Sequence, residues 1–254
     1  MRTFSLQSGS NGNCIYVEAD GVGVLFDAGI SGIQALRRLA RHRRDIRNVS
    51  AVIISHDHSD HVRCAGVYHR KFGLPLMMSR TTRQAADAQL GKVANVRCFT
   101  PGESLTIGPM TVHTLPTAHD AADGAAFVVE HGGKRLGILT DLGHPFDGLG
   151  RWIESLDAMY LESNYDPDML QRGPYPPHLK ARIRGDGGHL SNDEAAGLVG
   201  RHAGAGLQWV AMAHLSEENN RPELARQAYH RFVDRDLPIH LAWRYEPSEE
   251  FRID

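Results

Sequence analysis

Little in this sequence speaks of covalent staples, export or membranes. Cys14, Cys64 and Cys98 are the only three cysteines in 254 residues. They lie far apart and form no Cys-x-x-Cys pair, which argues against a disulfide framework and fits a reducing cytoplasm. No apolar run approaches the ~18–20 residues that cross a bilayer, so no membrane partner is expected. Met1 to Gly9 holds no continuous apolar stretch of the kind a signal peptide needs. Charge of one sign is also missing. The net charge of −2 excludes a wholesale polycation and leaves room only for local basic patches. Repeats and low-complexity tracts are absent too.

Histidine is what the sequence has in excess, with 15 residues, several of them clustered. Histidine supplies metal ligands and acid–base groups near neutral pH. The rest is ordinary for a soluble globular chain, 41% apolar and 23% charged, and long enough to bury a core unaided.

Strand and helix patterns alternate. Asn13–Glu18 and Val22–Phe26 read as strands joined by the turn Ala19-Asp20-Gly21. Ser31 to Gln34 has the form of a capping box. It opens a helix with Ile33, Leu36, Leu39 and Ala40 on one stripe and Arg37, Arg38, Arg41, Arg43 and Arg44 opposite. That basic face is read as solvated, with nucleic-acid contact as the rival. Ala51–Ile54 is an all-apolar strand. Helices are predicted over 62–72 and 82–90, with a strand over 75–78 between them. Strands follow over 110–115, 125–130, 135–139 and 158–161. Ser191 to Glu194 is a second capping box, for a helix to about His202. The pattern closes with a strand over 209–213, a helix over 222–233 and a strand over 239–243. Residues 166–188, rich in Pro, Gly and basic side chains, read as an insertion or linker. Mixed α and β in both halves, without a break in composition, predict one domain over 1–254, an α/β fold of four layers, αββα.

The strongest signal is Ser55-His56-Asp57-His58-Ser59-Asp60-His61. Three histidines and two aspartates follow directly on a buried strand, where loops can aim ligands into a cleft. Imidazole and carboxylate suit zinc and similar divalent ions. A solvated turn is the bland alternative. The Gly9-Ser10-Asn11-Gly12 stretch lacks the Gly-Lys-Ser/Thr ending of a phosphate loop and reads as a tight turn.

The H-x-H-x-D-H pattern resembles the signature of the metallo-β-lactamase superfamily. The resemblance implies that His56 and His58 bind one metal, and that Asp60 and His61 bind a second. It implies a further histidine, for which His119, in a loop, is preferred over His113, in a strand. Asp141, at a strand end, would bridge, and His214 would complete the second ion. Asp57 and His144 receive no role. The expected cofactor is therefore two divalent ions, Zn²⁺ or Mn²⁺. The order Glu162, His189, His214 resembles the phosphodiesterase branch, in which a Glu orients a His that protonates the leaving oxygen. On this reading Asp60, His189 and Glu162 carry catalysis. Lys180, Arg182, Arg184, Ser191 and Asn192 are candidate substrate contacts.

Nearly the full length resembles the bacterial YycJ/WalJ family, considered exonuclease-like. The resembling stretches are 8–13, 55–61, 118–121, 140–143, 161–164, 188–192 and 213–220. Tyr165 departs from it, standing where that family is expected to carry His. A nucleic acid substrate, DNA before RNA, is the expectation. An ester or thioester hydrolase of the glyoxalase II or lactamase kind is the enzymatic alternative. A nucleic-acid-binding protein with a degenerate site is the non-enzymatic one, disfavoured because no ligand is missing.

Overall fold

A computed structural model describes residues 1–234 and 236–254. The strands are β1 (Arg2–Gln7), β2 (Cys14–Ala19), β3 (Val22–Phe26), β4 (Val49–Ile53), β5 (Leu76–Ser79), β6 (Val96–Phe99) and β7 (Ser104–Ile107). They continue as β8 (Met110–Thr117), β9 (Gly124–His131), β10 (Lys134–Leu139), β11 (Ala158–Glu162), β12 (Trp209–Ala213), β13 (Ile239–Leu241) and β14 (Phe251–Arg252). They form two seven-stranded sheets, ordered β14-β1-β2-β3-β4-β5-β6 and β13-β12-β11-β10-β9-β8-β7.

Successive residues of a strand face opposite sides of a sheet, and here both sides are buried. Ala51 and Ile53 of β4 join the core between the sheets, with Val112, Phe127 and Ile138. Val52 and Ile54 turn outward to pack with Leu39 and Tyr68 of the covering helices. In the second sheet Leu161 and Met212 likewise meet Leu198 and Tyr229 of the helices Asn192–His202 and Pro222–Phe232. The result is the four-layer αββα sandwich. Each such Leu, Ile or Val contributes about 1.5–3 kcal/mol of burial, which explains why these strands read as unbroken apolar runs.

Strand polarity positions the site. β3 to β6 run parallel in the first sheet, and β10 to β13 run parallel in the second. Their C-terminal ends converge on one edge of the sandwich, where the histidine-rich loops meet.

Both capping boxes form. The first helix, Gly32–Arg41, nevertheless buries Gly32, Ala35 and Leu39, while Ile33 and Leu36 are exposed. The expected stripe is rotated because a small residue must face the neighbouring helix. A Cβ on Gly32 would come within 2.9 Å of the Phe72 ring. Three arginines of the basic face are engaged, two of them in part-buried contacts and one in a surface pair. Arg38 bonds the Leu6 carbonyl, Arg41 pairs with Glu246, and Arg44 pairs with Glu18.

Other boundaries differ from the sequence pattern. The expected helix over 62–72 is split into Ser59–Val62 and Ala65–Phe72, and that over 82–90 into Arg80–Ala85 and Asp87–Leu90. The stretch 166–188 holds two short helices, Pro167–Arg172 and Pro177–Arg184, each opened by a proline at its first turn. Strands β1, β6, β7 and β14 were not legible one by one; β6, β7 and β14 are short edge strands, and β1 lies beside an edge. No helix among the described residues is long and apolar enough to cross a membrane.

Candidate metal centre and active site

The first group of candidate donors grows from β4. His56 lies just beyond the strand, and His58 is the extended residue before the helix Ser59–Val62, which carries Asp60 and His61. Close packing fixes Asp60: a Cβ on Gly29 would sit 1.7 Å from its carbonyl oxygen, and that oxygen accepts the Asn13 N–H at 2.7 Å. His61 is fully buried and its Nδ1 lies 2.7 Å from Asp27 Oδ2. Asp27 in turn accepts the Ser55 N–H and Oγ–H at 2.8 and 2.9 Å. This leaves His61 Nε2 facing Asp60 and Asp141, at 3.5 and 3.2 Å.

The second group comes one residue at a time from strand ends. His119 follows β8, Asp141 follows β10, Glu162 ends β11 and His214 follows β12. Registers such as Leu139 with Leu161 and Glu162 with Ala213 bring the last three side by side. Asp141 stands in the middle, 3.1 Å from His214 Nδ1 and 3.7 Å from His119 Nε2. Asp27, Asp141 and His214 all have left-handed backbone, with φ of 65°, 54° and 54°. For non-glycine residues that costs of order 1–3 kcal/mol each and persists only where the surroundings over-determine it, typically at functional sites.

The donor set fits cations. His119 Nδ1 lies 2.9 Å from the Gly188 carbonyl, and His58 Nε2 lies 3.1 Å from the Asp120 carbonyl. Carbonyls only accept, so those nitrogens carry the ring hydrogens. In neutral rings the other two nitrogens then turn lone pairs toward each other at 3.2 Å, a repulsion that a cation between them would relieve. His56 Nε2 and Asp141 Oδ2 are buried without a hydrogen-bond partner among the described residues, the 3.2 Å approach of His61 to Asp141 being poorly aligned. Donor atoms of His56, His58 and His119, and of Asp60, His61 and His214, each lie within 4.8 Å of one another.

Electrostatics agree. Burial pushes the His56 imidazolium down. His61 is equally buried, yet Asp141, Asp27 and Asp60 hold its proton well above the usual range. Burial opposes the charge on His214, but Asp141, Asp60 and Glu162 raise it to about 10. Burial would raise Asp60 and Asp141, and the surrounding imidazoles lower both. The excess of negative charge that binds these protons would equally bind divalent ions, with release of protons.

Beside the cluster, His189 Nδ1 lies 2.7 Å from Glu162 Oε1. Glu162 is fully buried; burial raises it, but His189 and His214 bring it down to about 2. The Leu142 and Leu190 N–H groups donate to its other oxygen, each at 3.3 Å. His189 Nε2 has no partner among the described residues, and the side chain is one-fifth exposed. Donor atoms of Asp141, Glu162, His189 and His214 also come within 4.8 Å of one another, so geometry alone permits His189 as a ligand too.

Other expected residues lie elsewhere. Arg182 reaches the rim, pairing with Asp120 at 2.5 and 3.1 Å. Lys180 and Arg184 instead bond Gln171. Ser191 and Asn192 are buried, Ser191 in the capping box with Glu194 and Asn192 in a reciprocal amide pair with Asn220. Helix capping and loop cross-linking thus use the groups expected to touch substrate. His113 pairs with Ser104 and Glu130 on the strand face, and His144 Nδ1 bonds the Asp186 carbonyl in a turn. Asp57 accepts the Ala122 N–H, which steadies the His119 loop. Tyr165 is buried and its backbone pairs with Ser191. Sequence reading missed Asp27 and Asn13. A carboxylate directly after the buried strand β3 was the available signal for Asp27; for Asn13, whose amide lies 2.9 Å from His61 Nε2, it was the family resemblance of residues 8–13.

Sandwich and site together define the class: the chain belongs to the β-lactamase superfamily, whose domain its residues 23–207 match. Within that class it is a member of the YycJ/WalJ family. It is 33% identical to exodeoxyribonuclease YycJ of Bacillus anthracis over 231 residues, 90% of this chain and 88% of that protein. It is 36% identical to exodeoxyribonuclease WalJ of Streptococcus pneumoniae over 251 residues, 96% of this chain and 93% of that one. The crystal structure of the metallo-β-lactamase fold protein YhfI from Bacillus subtilis superposes with a TM-score of 0.76 at 17% identity, covering 98% of both chains. At that identity the likeness is one of fold.

Proposed function

We propose that the protein is a metal-dependent phosphodiesterase that removes nucleotides from DNA ends in the cytoplasm, using two divalent ions, zinc or manganese. The relatives named exodeoxyribonucleases support the substrate class. The observation that carries the reaction type is the Glu162–His189 pair at 2.7 Å, held beside the ligand cluster. His56, His58 and His119 would hold one ion, Asp60, His61 and His214 the other, with Asp141 serving both. When bound, such ions supply Lewis-acid stabilisation of phosphate charge and a lowered pKa for water.

The chain's own groups do the rest. Glu162 fixes the His189 ring through Nδ1–H, so when the ring is protonated as imidazolium its second proton, the one available for transfer, sits on Nε2 on the open side. His189 gives that proton to the departing sugar oxygen, a poor leaving group as an alkoxide. Asp60, 18% exposed at its side chain, orients the attacking water. Arg182, paired with Asp120 at the rim, would meet a phosphate on exchanging that partner for substrate. A thioester hydrolase would have little use for the acid pair, because a thiolate leaves unaided. The shared inter-sheet core supports reading residues 1–254 as one folding unit.

The test is an assay on end-labelled single- and double-stranded DNA and RNA, with zinc and manganese compared. Stepwise release of mononucleotides from DNA is expected. Faster turnover of a thioester or β-lactam than of any phosphodiester would overturn the reading.

A further inference from the structure

Tyr245 and Trp243 are 59% and 53% exposed, and among the described large apolar side chains only Ile33, at 53%, is as exposed as Trp243. Topology places them beside the metal ligands. β13 runs parallel to β12 with Leu241 opposite Met212, so the segments that carry Trp243 and His214 leave the two strands side by side. Ser8 ties the two together: its N–H donates to the Trp243 carbonyl at 3.0 Å, and its hydroxyl accepts the His214 N–H at 2.8 Å. Neither ring is on a loose loop. Arg38 donates to the Tyr245 carbonyl, and the Tyr245 hydroxyl donates to Glu217. Arg244 bonds the Leu215 carbonyl at 3.1 Å, with its guanidinium 5.9 Å from the Tyr245 ring centre.

A cavity of about 180 Å³ beginning at Ser8 and Leu215 continues past these rings into one of about 540 Å³ walled by Pro222 and Pro247; both share Trp243, Arg244 and Tyr245. The furrow thus starts at Leu215, the residue after His214, and runs over two aromatic faces. Its charges are balanced: Glu217 pairs with Arg244 at 3.3 Å, and Glu246 with Arg41 at 3.4 Å. A neutral aromatic trough suits the flat face of a base and not a run of phosphates. It is too small for a stable protein partner. At 150–250 Å² per aromatic side chain the exposed parts total roughly 250 Å², against about 800 Å² per partner in a stable interface.

We propose that Trp243 and Tyr245 form a stacking subsite for unpaired bases of a single-stranded DNA substrate next to the scissile end. The proposal rests on the nuclease reading and names the strand state that the enzyme prefers. Stacking is sequence-tolerant, since every base offers a π-face.

The experiment uses the as-purified protein and fluorescein-labelled, phosphorothioate-linked oligothymidylate, followed by anisotropy. An abasic oligomer of equal length and linkage is the control. Trp243→Ala should weaken oligothymidylate binding about tenfold, within the usual range for one stacked base, and leave the abasic oligomer unchanged. Trp243→Phe should restore most of the loss, and Tyr245→Ala should behave like Trp243→Ala. An equal loss on both oligomers, or none on either, would overturn the subsite. So would a wild-type dimer that Trp243→Ala turns into a monomer on sedimentation, since the rings would then serve a second copy. If DNA is bound through the rings but never cut, the nuclease reading fails while the subsite stands.

Discussion

The two sheets contribute to the same site in different ways. The first delivers four donors from a six-residue span, His56 to His61, at the end of one strand. The second delivers His119, Asp141, Glu162, His189 and His214 from five separate loops or strand ends spread over 96 residues. The first group is held by local geometry, an extended segment running into a single helical turn with Asp27 behind it. The second is held by the register of parallel strands and by two left-handed residues, Asp141 and His214. Local geometry survives most distant changes, whereas a register-built site depends on the whole sheet.

The largest expected effect breaks the second group at its centre. Asp141→Ala should lose both ions together, while His119→Ala should lose mainly one. Elemental analysis after gentle purification tests this, and activity should fall by well over the ~10²-fold that residues behind metal ligands are worth. Retention of two ions by Asp141→Ala would refute its shared role.

His189→Ala comes next. It should keep its metal and slow DNA cleavage by roughly 10²–10⁴-fold. The loss should shrink on bis(p-nitrophenyl) phosphate, whose leaving group needs little protonation. An equal loss on both substrates, or a missing ion, would make His189 a ligand or a structural residue.

Asp27→Asn probes the first group from behind. With the carboxylate gone, His61 is no longer held as strongly at Nδ1, and metal affinity should fall about 10–100-fold with little change in fold. Competition with a chelating dye measures it. An unchanged affinity would mean that the motif's ligands need no support.

The smallest effect separates the halves by pH. Glu162 lies at about 2 in the fold against its usual 4.5. Its folded value is lowered, so its stabilising contribution is complete above pH 4.5 and is lost as the pH falls towards 2. In chelator, Glu162→Gln should therefore flatten the fall in Tm between pH 4.5 and 2 relative to the parent. An identical acid limb in both would show that the carboxylate adds nothing to stability. At neutral pH the same variant should slow DNA cleavage less than His189→Ala, because it only orients the ring.

How legible these features were follows from the same contrast. The cluster from Ser55 to His61 was readable at once, because its spacing is its geometry. Asp141 and His214 were readable as strand-end residues, but only through a resemblance that said which strand ends matter. Asp27 was passed over, because a carboxylate directly after a buried strand, the one signal it gave, marks a residue closing a turn as readily as one aimed at a histidine. Ser191 and Asn192 were read as candidate substrate contacts; the fold turned them inward, one to cap a helix and the other to bond Asn220. Trp243 read as the end of a strand, although the strand stops at Leu241 and leaves the ring exposed.

By itself the sequence determined the layered α/β class, the double-faced apolar strands, both capping boxes and the ligand motif, since all depend on neighbours within a few positions along the chain. The tertiary structure alone decided which distant side chains complete the site, which cations are spent on internal pairs, and where the aromatic rings stand. Those outcomes depend on strand order and register, which are set by burying both faces of two sheets at once and which no short stretch of sequence encodes.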